Sequence, residues 1–179
     1  MKTPQPLVKV DDLRKFFPVG GGLFRSAQSH IHAVDGISFE ILAGRSLALV
    51  GESGCGKTTT GKLLARLHEP SGGKILLQRP GGGMQDTAGF KSGEMKEFRR
   101  RVQMVFQDPY ESLNPRLTIL DTIAEPLLVQ GIGSPAEREA RVAKLLQQVG
   151  LTPAASFLFR YPHELSGGQR QRVAIARAL

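Results

Sequence analysis

The chain has 179 residues, enough for one domain of ordinary size, and 40% of them are hydrophobic against 22% charged, which excludes the low-hydrophobicity regime of disordered chains. Lys and Arg number 24 against 16 Asp and Glu, a formal net charge of +8; outside Arg99, Arg100 and Arg101 the charges are scattered, and with a Debye length of roughly 8 Å they read as a solvated surface, so no nucleic-acid partner is expected. The single cysteine, Cys55, excludes an intrachain disulfide and a multi-cysteine zinc site, no signal peptide is visible, and no apolar run approaches the roughly 20 residues of a membrane span, so a cytosolic chain is expected.

Leu7–Leu13 and Ile31–Leu42 alternate partially and predict strands of a half-buried antiparallel layer, separated by a loop, "PVGGGLFRSAQSH". Leu47, Ala48, Leu49 and Val50 are continuously apolar, the pattern of a strand covered on both faces in a parallel sheet. A helix is expected from Thr58 to about Leu67, ended by Pro70 and "SGG", then a short strand at Lys74–Leu77. "RPGGGMQDTAGFKSGE" reads as a flexible excursion and Val102–Phe106 as a strand. Three stretches then carry helical spacing: "TILDTIAEPLLVQG", "SPAEREARVAKLLQQVG" and "SGGQRQRVAIARAL". No repeat, heptad run or interior linker divides the chain.

The strand expected at Leu47–Val50 runs directly into "GESGCGKT", Gly51 to Thr58, which satisfies G-x-x-x-x-G-K-[ST] in its proper setting of buried strand before and helix after. Gly51, Gly54 and Gly56 permit backbone angles that let successive N–H groups turn inward around phosphate oxygens. Lys57 is then expected to bridge the β and γ phosphates and Thr58 to offer its hydroxyl to Mg²⁺. Ser53, Cys55 and Thr59 complete the expected cradle, with Cys55 filling a small loop position. A guanine reader of the N-K-x-D type is excluded, because the only asparagine is Asn114, followed by Pro115. Further on, Ser166, Gly167, Gly168 and Gln169 have capping-box spacing, which predicts a helix start with free amides and the positive dipole end.

"LSGGQRQRVAIARAL", taken with the phosphate loop and "VFQDPYESLNPR" between them, resembles the ABC-type ATPases in the order and separation of motifs along nearly the whole chain. The resemblance implies an α/β fold, P-loop NTPase-like: a parallel core sheet with helices, an N-terminal antiparallel layer and a helical subdomain at about 118–165, with 1–179 forming part of one ATP-binding domain. It implies ATP and Mg²⁺ as ligands and a second ATPase subunit, same or different, whose phosphate loop is closed in trans by Ser166, Gly167, Gly168 and Gln169. Gln107 matches the glutamine that reaches Mg²⁺ and the attacking water, so Lys57 and Gln107 are the catalytic candidates, and Thr58 and Gln107 the metal candidates. An aromatic near the first strand would stack on adenine; Phe17 matches that place best and Phe16 is the runner-up. "FFPVGGGLF", "GESGCGKTT", "FQDPYESLNPR" and "YPHELSGGQRQR" are similar to ATP-binding subunits of oligopeptide and dipeptide importers, including relatives that carry nickel or glutathione. Two transmembrane permease subunits, an extracytoplasmic solute-binding protein acting indirectly, and a peripheral position on the cytoplasmic face of the membrane follow from that resemblance. Asp108–Arg116 would lie near the permease; Lys96, Arg99 and Arg100 read as a solvated face.

The family pattern also calls for four apolar residues and Asp-Glu after the signature helix, then a switch histidine. No Asp-Glu pair occurs in the 179 residues, and His163 precedes the signature. The expectation is an ATPase domain cut after its signature, lacking the Walker B strand, poorly folded alone and inactive in hydrolysis even where it binds ATP. The competing readings are a soluble ABC-type ATPase of DNA repair or translation, against which the single Cys and "DPYESLNPR" argue, and a non-catalytic ATP-binding module.

Overall fold

The structure is a computed structural model that describes residues 5–19, 29–108 and 112–179. The chain forms two compact units, Met1–Val102 and Gln103–Leu179. The nine glycine-rich residues 20–28 of the expected first loop, and Pro109, Tyr110 and Glu111 of the segment expected near a permease, lie outside the described residues.

In the first unit, strands β1 (Pro6–Val19), β2 (Ser29–Leu42), β3 (Gly72–Gln78) and β4 (Met84–Asp86) make an antiparallel sheet in the order β2-β1-β3-β4. Strands β1 and β2 pair with four register shifts, which is why the alternation in the sequence is only partial, and three of them bear on the core and the site. Between Val10↔Phe39 and Leu13↔Ile37 strand β1 carries one extra residue; β2 carries one between Ile37 and Val34, and another, Ala33, between Val34 and His32. Each bulge resets which side chains face inward. The first lets both Val10 and Leu13 enter the core, although they are three residues apart, with Asp12 in a left-handed conformation at φ 47°. They pack with Val34, Ile75 and Leu63 of helix α1 (Lys57–Leu64).

Four expected elements differ. Helix α1 ends at Leu64 rather than near Leu67, because Ala65 leaves helical geometry and Arg66 turns to φ 55°. The stretch expected to be flexible instead contains β4, a 3₁₀ turn at Thr87–Gly89 and helix α2 (Ser92–Arg101). Glu94 accepts from the Lys91 amide at 3.0 Å, capping α2, and Phe98 is buried. The expected strands at Leu47–Val50 and Val102–Phe106 carry no ladder among the described residues, and Val50 is 92% exposed. An apolar run becomes a two-sided strand only when neighbours pair with both edges, and no described strand pairs with either.

The second unit holds helices α3 (Ile119–Gln130), α4 (Pro135–Gln148) and α5 (Gly167–Ala178) around one core. Ile119, Ile123 and Leu127 recur every fourth residue on α3, and Val142 and Leu146 do so on α4, so each helix buries one stripe. Val173, Ala174 and Ala176 complete the contact from α5. The first amides of α3 are satisfied from outside the helix: Ile119 N–H donates to the Arg160 carbonyl and Leu120 N–H to that of Leu158, both at 2.9 Å. Gly131 at φ 71° closes α3 and Ser134 opens α4, with Pro135 at its first position and a reciprocal Ser134–Glu137 cap.

Leu146→Ala, at a fully buried site, is expected to cost about 2–5 kcal/mol in denaturant unfolding of the full chain, and Ser134→Ala about 1 kcal/mol. The Ser134 amide, then the Ser134 hydroxyl, hold the Glu137 carboxyl below its ordinary pKa. Its contribution to stability is therefore complete above the ordinary carboxylate range and is lost as pH falls through the depressed value; Glu137→Gln should flatten that acid limb of the unfolding curve.

Candidate functional site

Gly51–Thr58 runs from the unpaired stretch through a turn at Ser53–Gly54 into α1. Gly54 and Gly56 stand at φ 84° and 92°, in the left-handed region that side-chain-bearing residues rarely adopt. At Gly56 space is the tighter constraint: a Cβ would lie 2.2 Å from the Ala33 carbonyl oxygen and 3.6 Å from Val34 Cγ2. Ala33 is one of the two bulge residues of β2, so the irregularity in the strand and the glycine in the loop meet backbone to backbone. At Gly54 a Cβ would meet nothing within 4 Å. Cys55 Sγ packs where a Gly51 Cβ would be, 2.7 Å away, and so fills a small position in the loop.

Lys57, the first residue of α1, folds back over the loop. Its ammonium donates to the Gly51 carbonyl at 2.8 Å and the Glu52 carbonyl at 2.6 Å, and lies 3.4 Å from Cys55 Sγ. These are uncharged groups, so none of them neutralises the cation. Thr58 and Ser53 are exposed and Thr59 half-buried, whereas Thr60 is buried and ties its hydroxyl to the Gly56 carbonyl at 3.0 Å. Helix α1 has no side-chain cap and no acid in its first turn.

The β1 bulge at Asp11–Asp12 also sorts the two phenylalanines. Leu13, Lys15 and Phe17 share the core face, where Lys15 Nζ donates to the Glu69 carbonyl just past α1 and the Phe17 ring meets His68 edge-on, centroids 5.7 Å apart. The Lys15 ammonium also stands 5.0 Å from the Phe17 centroid. Phe16 points to the opposite face and packs on His32 at 4.1 Å. Lys15, His68 and Ala33 were not legible as site neighbours, because their proximity depends on where the bulges fall.

In the second unit Ser166 caps α5. Its Oγ accepts from the Gln169 amide at 3.3 Å while Gln169 Oε1 accepts from the Ser166 amide at 2.9 Å. The two side chains are thus engaged with each other's backbone, and Gly167 and Gly168 between them are exposed and bare. Leu165 is buried and anchors the turn. Beside it lies a cavity of about 340 Å³ lined by Gly150, Leu151, Phe157, Ser166, Gln169 and Arg172. Arg172 crosses it to donate to the Gly150 carbonyl at 3.2 Å, a contact no motif announces. Gln107 is exposed in a bend that follows Met104–Phe106. The cradle residues and Phe17 therefore come together in the first unit, and Gln107 and Ser166–Gln169 belong to the second.

The family described as ABC transporter matches residues 34–179, which include both the phosphate loop and the Ser166 turn. This chain belongs to the ABC transporter family. An oligopeptide transport ATP-binding protein, AppF of Bacillus subtilis, is 45% identical over 176 residues, covering 98% of this chain and 51% of that protein. A glutathione import ATP-binding protein, GsiA of Escherichia coli O157:H7, is 49% identical over 175 residues, covering 98% of this chain and 27% of that one. The chain thus spans about half the length of the first relative and about a quarter of the second. Among solved structures, a dimeric post-hydrolysis state of the ATP-binding cassette MJ0796 bound to ADP and Pi superimposes with a TM-score of 0.79 at 31% identity, covering 96% of this chain and 68% of that one. CbiO1 from Clostridium perfringens gives a TM-score of 0.70 at 26% identity, over 97% of this chain and 61% of that one. The fold is accordingly the α/β fold of ABC ATPase cassettes, and the ABC domain is a nucleotide-binding one.

The loop geometry separates two otherwise similar substitutions. Gly56→Ala, blocked by backbone as well as strained in φ, is expected to abolish nucleotide binding measured by equilibrium dialysis. Gly54→Ala, strained but unobstructed, should cost about 1 kcal/mol, roughly fivefold in affinity.

Proposed function

We propose that this chain binds ATP together with Mg²⁺ and that, in the complete protein, ATP hydrolysis drives import of peptides or related small solutes across the cytoplasmic membrane. The observation that carries the reading is the Lys57 ammonium, held over a turn of exposed glycine-rich backbone by neutral acceptors alone. Phosphate oxygens are better acceptors for that ammonium than the Gly51 and Glu52 carbonyls, since their negative charge adds a Coulomb attraction that a neutral carbonyl lacks. Phosphate entry therefore exchanges two loop-closing contacts with neutral carbonyls for ion-paired ones and frees the loop to turn its amides inward.

Phe17 is the residue we assign to the adenine, because it shares the face on which α1 and its phosphate loop lie, whereas Phe16 is engaged with His32 on the other. The exposed Thr58 hydroxyl and the Gln107 side-chain carbonyl are hard oxygen donors of the kind Mg²⁺ takes. Among the described residues no group of three or more His, Cys, Asp or Glu is placed to hold a metal by itself, which fits an ion whose remaining ligands are phosphates and water. When bound, Mg²⁺ supplies charge neutralisation on the phosphate oxygens. Gln107 orients water on the γ side, and the Gly167 and Gly168 amides of a second ATPase subunit cover the terminal phosphate.

Residues 1–179 form part of one ATP-binding domain in this reading, with about 118–165 as its helical subdomain. Two permease subunits, an extracytoplasmic solute-binding protein and a peripheral site at the membrane's cytoplasmic face complete the assembly. No helix among the described residues is long and apolar enough to cross a membrane. The sequence similarity to importer ATP-binding proteins supports this reading over a soluble repair or translation ATPase. These 179 residues hold no Asp-Glu pair, and hydrolysis in this reading belongs to the complete protein.

One ammonium about 4 Å from a phosphate oxygen is worth on the order of 4 kcal/mol at an effective dielectric near 20. Lys57→Ala is therefore expected to weaken binding of a fluorescent ATP analogue by about a hundredfold or more, while Lys62→Ala, on the same helix, leaves it within about twofold. Equal affinities for the Lys57→Ala and wild-type chains would sink the reading.

A further inference from the structure

The last turn of the signature helix makes contacts that neither capping nor core packing requires. Arg177 Nη1 donates to the Ser112 carbonyl at 3.0 Å, and Nη2 donates to Glu125 Oε2 of α3 at 2.8 Å. The side chains of Arg177 and Glu125 are 36% and 46% exposed, so the pair lies at the margin of the core. Arg177 also lines a cavity of about 330 Å³ together with Val105, Phe106, Ser112, Pro126 and Ala174. Phe106 immediately precedes Gln107, and Ser112 follows it by five residues. One guanidinium thus stands where the segments on both sides of Gln107 approach the end of α5.

A planar guanidinium can serve a carbonyl and a carboxylate at the same time through separate N–H groups, which a lysine ammonium does with less fixed geometry. From Ser166 to Arg177 a helix rises roughly 1.5 Å per residue, about 16 Å in all, and the Val173, Ala174 and Ala176 contacts hold it as a rod. A shift of the Ser166–Gln169 turn is therefore carried to Ser112 by the far end of one rigid body. Glu125 fixes the guanidinium from the side, so that its hold on Ser112 does not depend on a freely rotating side chain.

We propose that Arg177 is a positioning residue that couples the signature turn to Gln107, acting through the Ser112 carbonyl and oriented by Glu125. The role rests on the ATP-hydrolysing function proposed above. It requires that loss of Arg177 leave ATP binding intact, because the phosphate cradle lies in the other unit, and slow the turnover that Gln107 serves.

The test uses the complete transporter, assembled from the full-length protein and its partners, with kcat and KM for ATP expressed per titrated nucleotide site. Arg177→Ala is expected to lower kcat tenfold or more with KM within twofold. Arg177→Lys should recover part of the loss, and Glu125→Gln should lose less than Arg177→Ala. In a Gln107→Ala background Arg177→Ala should have little further effect, because the two act in series. Unchanged kcat in Arg177→Ala overturns the proposal, and so does an additive double mutant or a fall in bound nucleotide parallel to that in kcat. If Arg177→Ala does not assemble, Arg177→Lys combined with Gln107→Ala decides by the same non-additivity; failure of both Arg177 variants to assemble makes the contact structural and overturns the proposal too. A wild-type transporter that binds but does not hydrolyse ATP overturns the functional reading itself, an outcome distinct from an active wild type with an indifferent Arg177.

Discussion

The site in the first unit depends on one close approach of two backbones. Gly56 can lie against the Ala33 carbonyl only because it has no Cβ, and Ala33 presents that carbonyl there because β2 bulges. The contact fixes the height at which α1 begins over the sheet. From that start Lys57 reaches back across the loop, Thr58 is left exposed and Thr60 is buried as the helix's first anchor. Moving Gly56 away would separate the cation from the turn it covers. Composition contributes little here: +8 of formal charge is spread over the surface, while the charge proposed to meet a phosphate is one ammonium held by neutral acceptors within 3 Å.

Bulges do similar work at the aromatic position. An unbroken strand would put Val10, Asp12 and Phe16 on one face; the extra residue at Asp11–Asp12 instead groups Val10 with Leu13, Lys15 and Phe17. Asp12 at φ 47° is the local cost, offset by its amide donating to Ser38 Oγ at 2.9 Å and its carboxylate pairing with Arg14 at 3.0 Å. Period-two reasoning fails across such a point, which is why the sequence leaves Phe16 and Phe17 as alternatives and the structure separates them by face.

Legibility in the sequence followed the range of the interactions concerned. Ser166 and Gln169 act across three residues, and that helix start read directly from the letters; Ser134 and Glu137 cap over the same range a stretch whose letters showed only helical spacing. Helices α3, α4 and α5 likewise declared themselves through apolar spacing. Helix α2 did not, since the glycines before it suggested a loop and its Glu94 cap uses a lysine amide, which any residue supplies. The run Leu47–Val50 was misleading in the other direction. Its side chains report a preference for cover, but a ladder needs partners elsewhere in the chain, and among the described residues it has none. The motif residues of the site were visible; their neighbours Lys15, His68, Ala33, Arg172 and Arg177 were brought in by tertiary geometry.

First-turn charge divides the five described α-helices into two groups, and the division bears on function. Helices α2, α3 and α4 begin with Glu94, Asp121 and Glu137, whose carboxylates complement the positive end of the helix dipole, an effect of about 0.3–1 kcal/mol at exposed sites. Helices α1 and α5 have no acid in their first turns; α1 starts from a bare glycine, and α5 satisfies its box with a neutral glutamine where a glutamate would cap equally well. A carboxylate at either start would stabilise the free helix and repel an incoming phosphate. The two exceptions are the helices carrying the phosphate loop and the signature turn, as the phosphate contacts proposed for each would require, and capping alone gives no reason for it.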